Sequence, residues 1–420
     1  MKIGVSRVCI TPPVGIDLTG YGARVQPSIG VHDDLYARSC FLEQGQDRLL
    51  WIHADLLSLD RDTVRRLRKA LSLELGLEER QIVFSATHTH SGPATQRLLG
   101  CGTRDPAYLA TLDNLLLDAG RQAAARTEAV TLLFAEGLLS LSVDRRKKAS
   151  AHTDPILPVL AFRGSDGGFR AVISNYAVHN VALSHKNRLI SADLAGVAAR
   201  TAGDRLPGNP VVFCTNGACG NLNPPRLTDD FSGPEEYGSR LGEAVADLVR
   251  TSAEVGTPAL SSRLAAVAVP LTVQTPGQVE EERKRAYEKS PTPWSAAVLE
   301  EWRNNTLAWI ASGKAADAIE SDVQAIRIGP ARFAAMGAEV FSRMADDLRE
   351  RCGRHTYVIG YANGNLGYLP FREAFGEGGY EVDYAYKLYM HFNVAPAAFE
   401  TMRDKAVELL KSLPDTPAWP

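Results

Sequence analysis

Apolar residues recur along this chain with two periods, and the change from one to the other marks its elements. Short β-branched or apolar runs at Ser6–Ile10, Arg38–Leu42, Leu49–His53 and Gln81–Ala86 predict strands, the last of them buried on both faces. Between them, Val64, Leu67, Leu71 and Leu75 repeat at helical spacing, which predicts a helix over Asp62–Leu77 with one face on a sheet. A second helix, rich in Leu and Ala, is predicted over Pro106–Arg126. Strands follow at Thr131–Ser142, Val159–Arg163 and Arg170–Val178, then a helix at Ala192–Ala202. Pro210–Thr215 reads as a buried strand that runs into a Gly- and Asn-rich loop, Asn216–Pro225. Tyr237–Thr251 reads as helix and Arg263–Val273 as strand.

The stretch Gly277–Gly313 differs: it is charged, helical and holds three of the five tryptophans, Trp294, Trp302 and Trp309. Its pattern predicts a helical hairpin broken at Ser290-Pro291-Thr292-Pro293, either a lid or an appendage whose tryptophans fill a small core of its own. Gln324–Ile328 and Arg332–Met336 form a predicted β-hairpin around Gly329-Pro330. Glu339–Arg351 is predicted helix, Thr356–Ile359 strand, and Tyr384–Leu413 mostly helix. No repeat or low-complexity linker divides the chain. The pattern therefore implies an α/β fold of mixed β-sheets flanked by helices, in one domain over 1–420 with a helical excursion near 277–313.

Composition changes this picture mainly by exclusion. The chain is 45% hydrophobic and 23% charged with a formal net charge of −3, which fits a globular protein and argues against a nucleic-acid partner. The one dense basic run, Arg145-Arg146-Lys147-Lys148, reads as a solvated loop. No apolar run approaches the roughly 20 residues of a membrane span. The N-terminal MKIGVSRVCITPPVG has no signal-peptide core, so a cytoplasmic location is expected. Six cysteines are scattered without a CxxC pair and read as buried or incidental thiols.

Candidate chemistry lies at predicted strand ends. His88-Thr89-His90 follows the run Gln81–Ala86, and in an extended chain residues two apart point to one side. His179 ends the run Arg170–Val178. Imidazole suits zinc, and α/β folds place sites at strand ends. The loop Asn216–Pro225 offers amides able to polarise a carbonyl, or is a plain tight turn. No HExxH helix, GxSxG elbow, GxGxxG or P-loop occurs.

In series these pieces resemble the catalytic domain of the neutral, non-lysosomal ceramidases. The resemblance runs through Ile10–Gly15, Gly20–Arg24, Val31–Arg38, Ala86–Pro93, Asn175–His179, Leu189–Asp193, Phe213–Pro225, Met336–Glu339 and Tyr361–Tyr368. It implies one Zn²⁺ per chain held by His88, His179, Glu339 and Tyr368. It also places His90 beside the metal or the substrate and Arg145 near a substrate carbonyl. Two departures stand out: Asn223 replaces the family's loop serine, and the chain stops where ceramidases continue into an immunoglobulin-like domain. The expectation is a zinc-dependent hydrolase of a small-molecule amide or ester other than ceramide. In it His90, Arg145, Asn223 and Tyr368 act on the substrate. A cyclase or acyl-transfer enzyme using the same site, or a non-catalytic ligand-binding descendant, remains the alternative.

Overall fold

The computed structural model describes residues 1–414 and forms four layers, helices outside and two sheets face to face within. Strands of four or more residues are numbered. The larger sheet contains β1 (Lys2–Cys9), β2 (Tyr36–Gln44), β3 (Asp47–Ala54), β4 (Ile82–Ala86), β5 (Glu128–Leu138), β6 (Ile156–Gly164), β7 (Phe169–Tyr176) and β8 (Val211–Asn216). Its order is β8-β7-β6-β5-β1-β2-β3-β4. Only the outermost pairs, β3 with β4 and β7 with β8, are parallel. The second sheet is β9 (Leu260–Pro270), β10 (Ala318–Ile328), β11 (Ala331–Met336) and β12 (Thr356–Ile359), in that order.

Trp51, Val83, Phe162 and Phe213 on the inner face of the first sheet pack against Ile326, Phe333 and Tyr357 of the second. On the outer face, α1 (Arg61–Leu75) and α2 (Pro106–Ala125) cover one half of the large sheet. The other half lies under α3 (Asp193–Asp204) and α4 (Ser232–Thr251). Helix α1 turns Val64, Leu67 and Leu71 inward as its spacing predicted, and it stops at Gly76, whose φ of 61° suits a residue without Cβ. The α/β class with mixed sheets under helices holds. Of the expected single domain over 1–420, residues 415–420 lie outside the description.

The predicted helical hairpin is α5 (Pro276–Lys289) and α6 (Pro293–Ala311), broken where the prolines stand. Thr275 and Thr292 cap the two helices, each with a reciprocal capping box and a proline in the first turn. Its tryptophans do not form a private core. Trp302 is buried beside Tyr386 and Trp309 stacks on Phe392. Trp294 donates to the Gly100 carbonyl at 2.9 Å. The excursion is thus seated on the main body.

The last quarter of the chain departs from its sequence pattern. Glu339 does not begin a helix: Glu339–Val340 is a short strand paired in parallel with Tyr368–Leu369, and the helix α7 starts only at Arg343 and runs to Cys352. The region Tyr384–Leu413 holds two separate helices with irregular chain between. After α8 (Arg372–Glu377) and α9 (Tyr380–Asp383) come α10 (Ala385–Leu388) and α11 (Ala398–Lys411).

The feature that builds the site is a closure. The large sheet curls until its two edges approach, so that His53 on β3 reaches the Cys214 carbonyl on β8 at 3.1 Å. The segment following β12 then joins them. Gly360 N–H donates to Asn216 O at 3.0 Å on one edge, and Ala86 N–H donates to Tyr361 O at 3.2 Å on the other. The loops leaving β4, β7 and β8 are drawn to one place.

Candidate metal centre

His88, His90 and His179 converge there, their ligating nitrogens all within 4.8 Å of one another. His88 Nε2 lies 3.0 Å from His179 Nε2 and 3.2 Å from His90 Nε2. Glu339 Oε2 stands 3.4 Å from His88 Nε2 and 3.6 Å from His179 Nε2. The pairing of His88 with His90 does not come from strand alternation. The strand ends at Ala86, and His88 adopts a left-handed φ of 60°, rare for a residue with a Cβ, that turns the two rings together. Gly20 makes room: a Cβ there would stand 2.5 Å from the His90 ring.

The hydrogen bonds fix which nitrogens face inward. His88 Nδ1 bonds to the Leu57 carbonyl at 2.8 Å and His179 Nδ1 to the Cys219 carbonyl at 3.2 Å. Carbonyls only accept, so both Nδ1 atoms carry the proton and both Nε2 atoms present lone pairs. Two lone pairs 3.0 Å apart repel, with a carboxylate oxygen on a third side. A cation resolves that arrangement. Ligands about 2.0–2.1 Å from a tetrahedral zinc are spaced about 3.3 Å from each other, which the observed 3.0–3.6 Å brackets. Burial holds His90 and His179 well below the ordinary imidazole range, with the neighbouring His88 adding to the effect. Burial alone would raise the Glu339 carboxyl, but His88, Tyr389 and Arg145 outweigh it and hold it below its usual range.

Two tyrosines that the sequence reading did not assign complete the surround. The Tyr361 ring stacks on His88 at 3.8 Å, and its hydroxyl lies 3.3 Å from His179 Nδ1 and 3.4 Å from Glu339 Oε2. The Tyr389 hydroxyl donates a short bond to Glu339 Oε1. Tyr368, the residue expected as fourth ligand, lies in register with Glu339 on the adjoining short strand. Its hydroxyl accepts from Arg145 Nη2 at 3.0 Å. Behind the cluster, the Asp193 carboxylate accepts from the N–H groups of Ala182 and Leu183, fixing the chain just after His179.

Arg145 corrects the reading of the basic run. Instead of a solvated loop, Arg145 and Arg146 point inward, and Lys147 and Lys148 stay exposed. Arg145 Nε donates to Glu381 at 2.7 Å, Nη1 to Asn223 Oδ1 at 3.0 Å, and Nη2 to the Gly220 carbonyl at 2.8 Å as well as to Tyr368. Burial would lower this guanidinium, but Tyr368 and Glu381 outweigh it and hold it firmly charged. Asn221 is unavailable to a substrate: it donates to Asp144 and Ser342 and accepts from Ser342 N–H. Gly220 is tight for a reason, since a Cβ there would lie 2.4 Å from the Glu339 carbonyl. All six cysteines are free, and burial pushes the Cys214 thiol up to about 11 and Cys219 up to about 12, away from a reactive thiolate. Among the described residues no helix is long and apolar enough to cross a membrane.

Comparison with known proteins agrees with the motif series. Residues 1–99 match the family described as neutral/alkaline non-lysosomal ceramidase, N-terminal. The neutral ceramidase of Pseudomonas aeruginosa is 25% identical over 90% of this chain and 68% of its own length. That of Drosophila melanogaster is 26% identical over 47% of this chain and 31% of its own length. The crystal structure of the Pseudomonas aeruginosa neutral ceramidase superposes with a TM-score of 0.78 at 20% identity, covering 98% of this chain and 74% of that one. A second structure, a ceramidase complexed with C2, gives 0.77 at 19% identity. The chain resembles the catalytic portion of the neutral ceramidases in sequence and shares its fold.

Proposed function

We propose, from this likeness, that the chain is a zinc-dependent hydrolase that uses water to cleave an amide or ester bond in a small molecule other than ceramide. Ceramidases cleave an amide bond, which supports the reaction class. The observation that carries the reading for this chain is the pair of imidazole lone pairs facing each other at 3.0 Å beside a buried carboxylate. His88, His179 and Glu339 hold one zinc per chain, with Tyr368 as a loose fourth ligand. Bound there, the ion supplies a water acidic enough to give hydroxide near neutral pH and a positive charge for a carbonyl oxygen.

The chain's own groups do the rest. Tyr368 accepts from Arg145, and burial, before any ion binds, raises its pKa well above the ordinary phenol, so it would offer the ion only a neutral, loosely held oxygen while its O–H stays free to donate. Arg145 and Tyr368 thus form a fixed pair of donors where negative charge develops on the carbonyl oxygen. Asn223, held by Arg145, keeps its amide N–H₂ for the substrate in place of the family's serine hydroxyl. His90, neutral by virtue of burial, would take at Nε2 the proton that the attacking water loses and pass it to the leaving amine or alkoxide.

Elemental analysis of the purified protein together with an amide and ester panel tests the proposal. One zinc per chain, with turnover lost to a chelator and restored by zinc, is the expected result. No stoichiometric metal, or full turnover by a metal-free His88→Ala protein, overturns it. His90→Ala should keep its zinc while losing turnover.

A further inference from the structure

A cavity of about 720 Å³ opens between the α5–α6 hairpin and the segment around α9. That volume suits a compact organic group. A row of rings connects it to the centre. Tyr368, which touches Arg145, meets Tyr380 edge to face at 5.9 Å. Tyr380 stacks with Tyr384 at 6.1 Å, and Tyr384 with Trp294 at 6.4 Å. Tyr380, Tyr384 and Trp294 all line the cavity. Whatever reacts beside Arg145 can therefore extend along an aromatic wall into this space.

The charges around the cavity are not balanced in their engagement. Its three carboxylates are all held. Glu282 binds the Lys387 ammonium at 2.9 Å and the Tyr386 hydroxyl. Glu377 accepts from Ser150 N and Oγ at 3.1 and 2.6 Å. Asp383 accepts from Gly379 N at 3.1 Å and from Lys289 at 3.0 Å. Two of the three cations are less engaged. Lys148 makes no ion pair among the described residues, and Arg285 has only Glu282, already held, at 3.6 Å. A long alkyl chain placed here would strip water from these charged groups without replacing it. A carboxylate would meet cations ready to receive it.

Building on the hydrolase reading, we propose that the substrate is a compact amide carrying a carboxylate, of the class of N-acylated amino acids. Its flat or apolar part lies on Tyr380, Tyr384 and Trp294, and its carboxylate faces Lys148 and Arg285. The reaction adds water across the C–N bond, giving a carboxylic acid and a free amino acid.

Zinc-loaded protein is assayed with N-acetyl-L-phenylalanine, its neutral carboxamide N-acetyl-L-phenylalaninamide, and a short-chain ceramide. Binding of the first two is followed separately by ligand-observed NMR. The carboxylate should exceed the carboxamide by about tenfold or more in kcat/KM, and both should exceed ceramide. In the K148E/R285E protein, altered only at exposed positions, the ratio of the first two should fall to about one. Turnover without preference for the carboxylate, or with ceramide preferred, overturns the substrate class and leaves the hydrolase reading intact. No turnover of any probe or of the amide and ester panel, but binding of N-acetyl-L-phenylalanine that K148E/R285E loses, upholds the cavity assignment and removes the hydrolase reading. Neither turnover nor binding of the carboxylate overturns the cavity assignment.

Discussion

His53 and the His88–His179 pair are buried imidazoles of the same curled sheet, yet they face opposite situations. At His53 a chain of donors closes without a gap. Trp51 Nε1 donates to Ser85 Oγ at 2.8 Å, Ser85 faces His53 Nδ1 at 2.8 Å, and His53 Nε2 faces the Cys214 carbonyl at 3.1 Å. Every lone pair there meets a proton. At the cluster, the outer nitrogens of His88 and His179 are equally well served by Leu57 and Cys219, but the inner ones meet each other, His90 Nε2 and Glu339. Burial lowers the imidazole pKa of His53 and of His179 alike, so burial does not distinguish them. What sets the cluster apart is a buried acceptor facing acceptors, the arrangement a cation would resolve.

Substitutions at the cluster should have the largest effect. His88→Ala or His179→Ala should remove the bound zinc and lower turnover by more than about a hundredfold, beyond what loss of an outer partner costs. Metal analysis and kinetics check this, and His53 variants should keep their zinc. Acid should act next most strongly. Burial, with Arg38 adding to it, lowers His53 to about 3, against 6.5 when unfolded. The unfolded chain therefore takes up a proton that the folded one refuses. Stability from this group is full above pH 6.5 and falls as pH drops toward 3, by roughly 3 kcal/mol at pH 4.5. His90 and His179 contribute with the same sign. Urea unfolding across this range, on wild type and His53→Ala, isolates the His53 share. At neutral pH, His53→Ala should itself cost about 2 kcal/mol, since Ser85 and the Cys214 carbonyl lose their partner. The smallest effect should follow Glu381→Gln. Zinc content stays constant, while kcat falls about tenfold because Arg145 loses the carboxylate that orients it.

Much of the outer architecture was legible in the sequence, because helices such as α1 carry their own spacing and the α5–α6 break carries its own prolines and capping threonines. The histidines were legible because each follows a recognisable strand. What failed was local inference about residues whose state is set by distant partners. Glu339 has the surroundings of a helix start, yet pairing with Tyr368 and the approach of Gly220 hold it extended. The basic run looked solvated because its acceptors, Glu381 and Glu377, lie more than 200 positions away. Tyr361 belonged to a quoted motif without a role, and a left-handed φ of 52° at a tyrosine has no sequence signal. Tyr389 lies in a stretch read as mostly helix, where it caps the short α10 and reaches Glu339 from there.

The strap after β12 that stitches β4 to β8 has a kinetic consequence. His88 and His179 are 91 positions apart, and neither belongs to the strap, yet the hydrogen bonds that pin both sheet edges beside them are made by it. On the zinc reading, chelation would therefore come late in assembly, once these long-range contacts have formed. Long-range closure of this kind is slow. Metal uptake by refolding protein would accordingly trail the recovery of secondary structure, and the ion would act as a lock on a finished fold rather than as its nucleus.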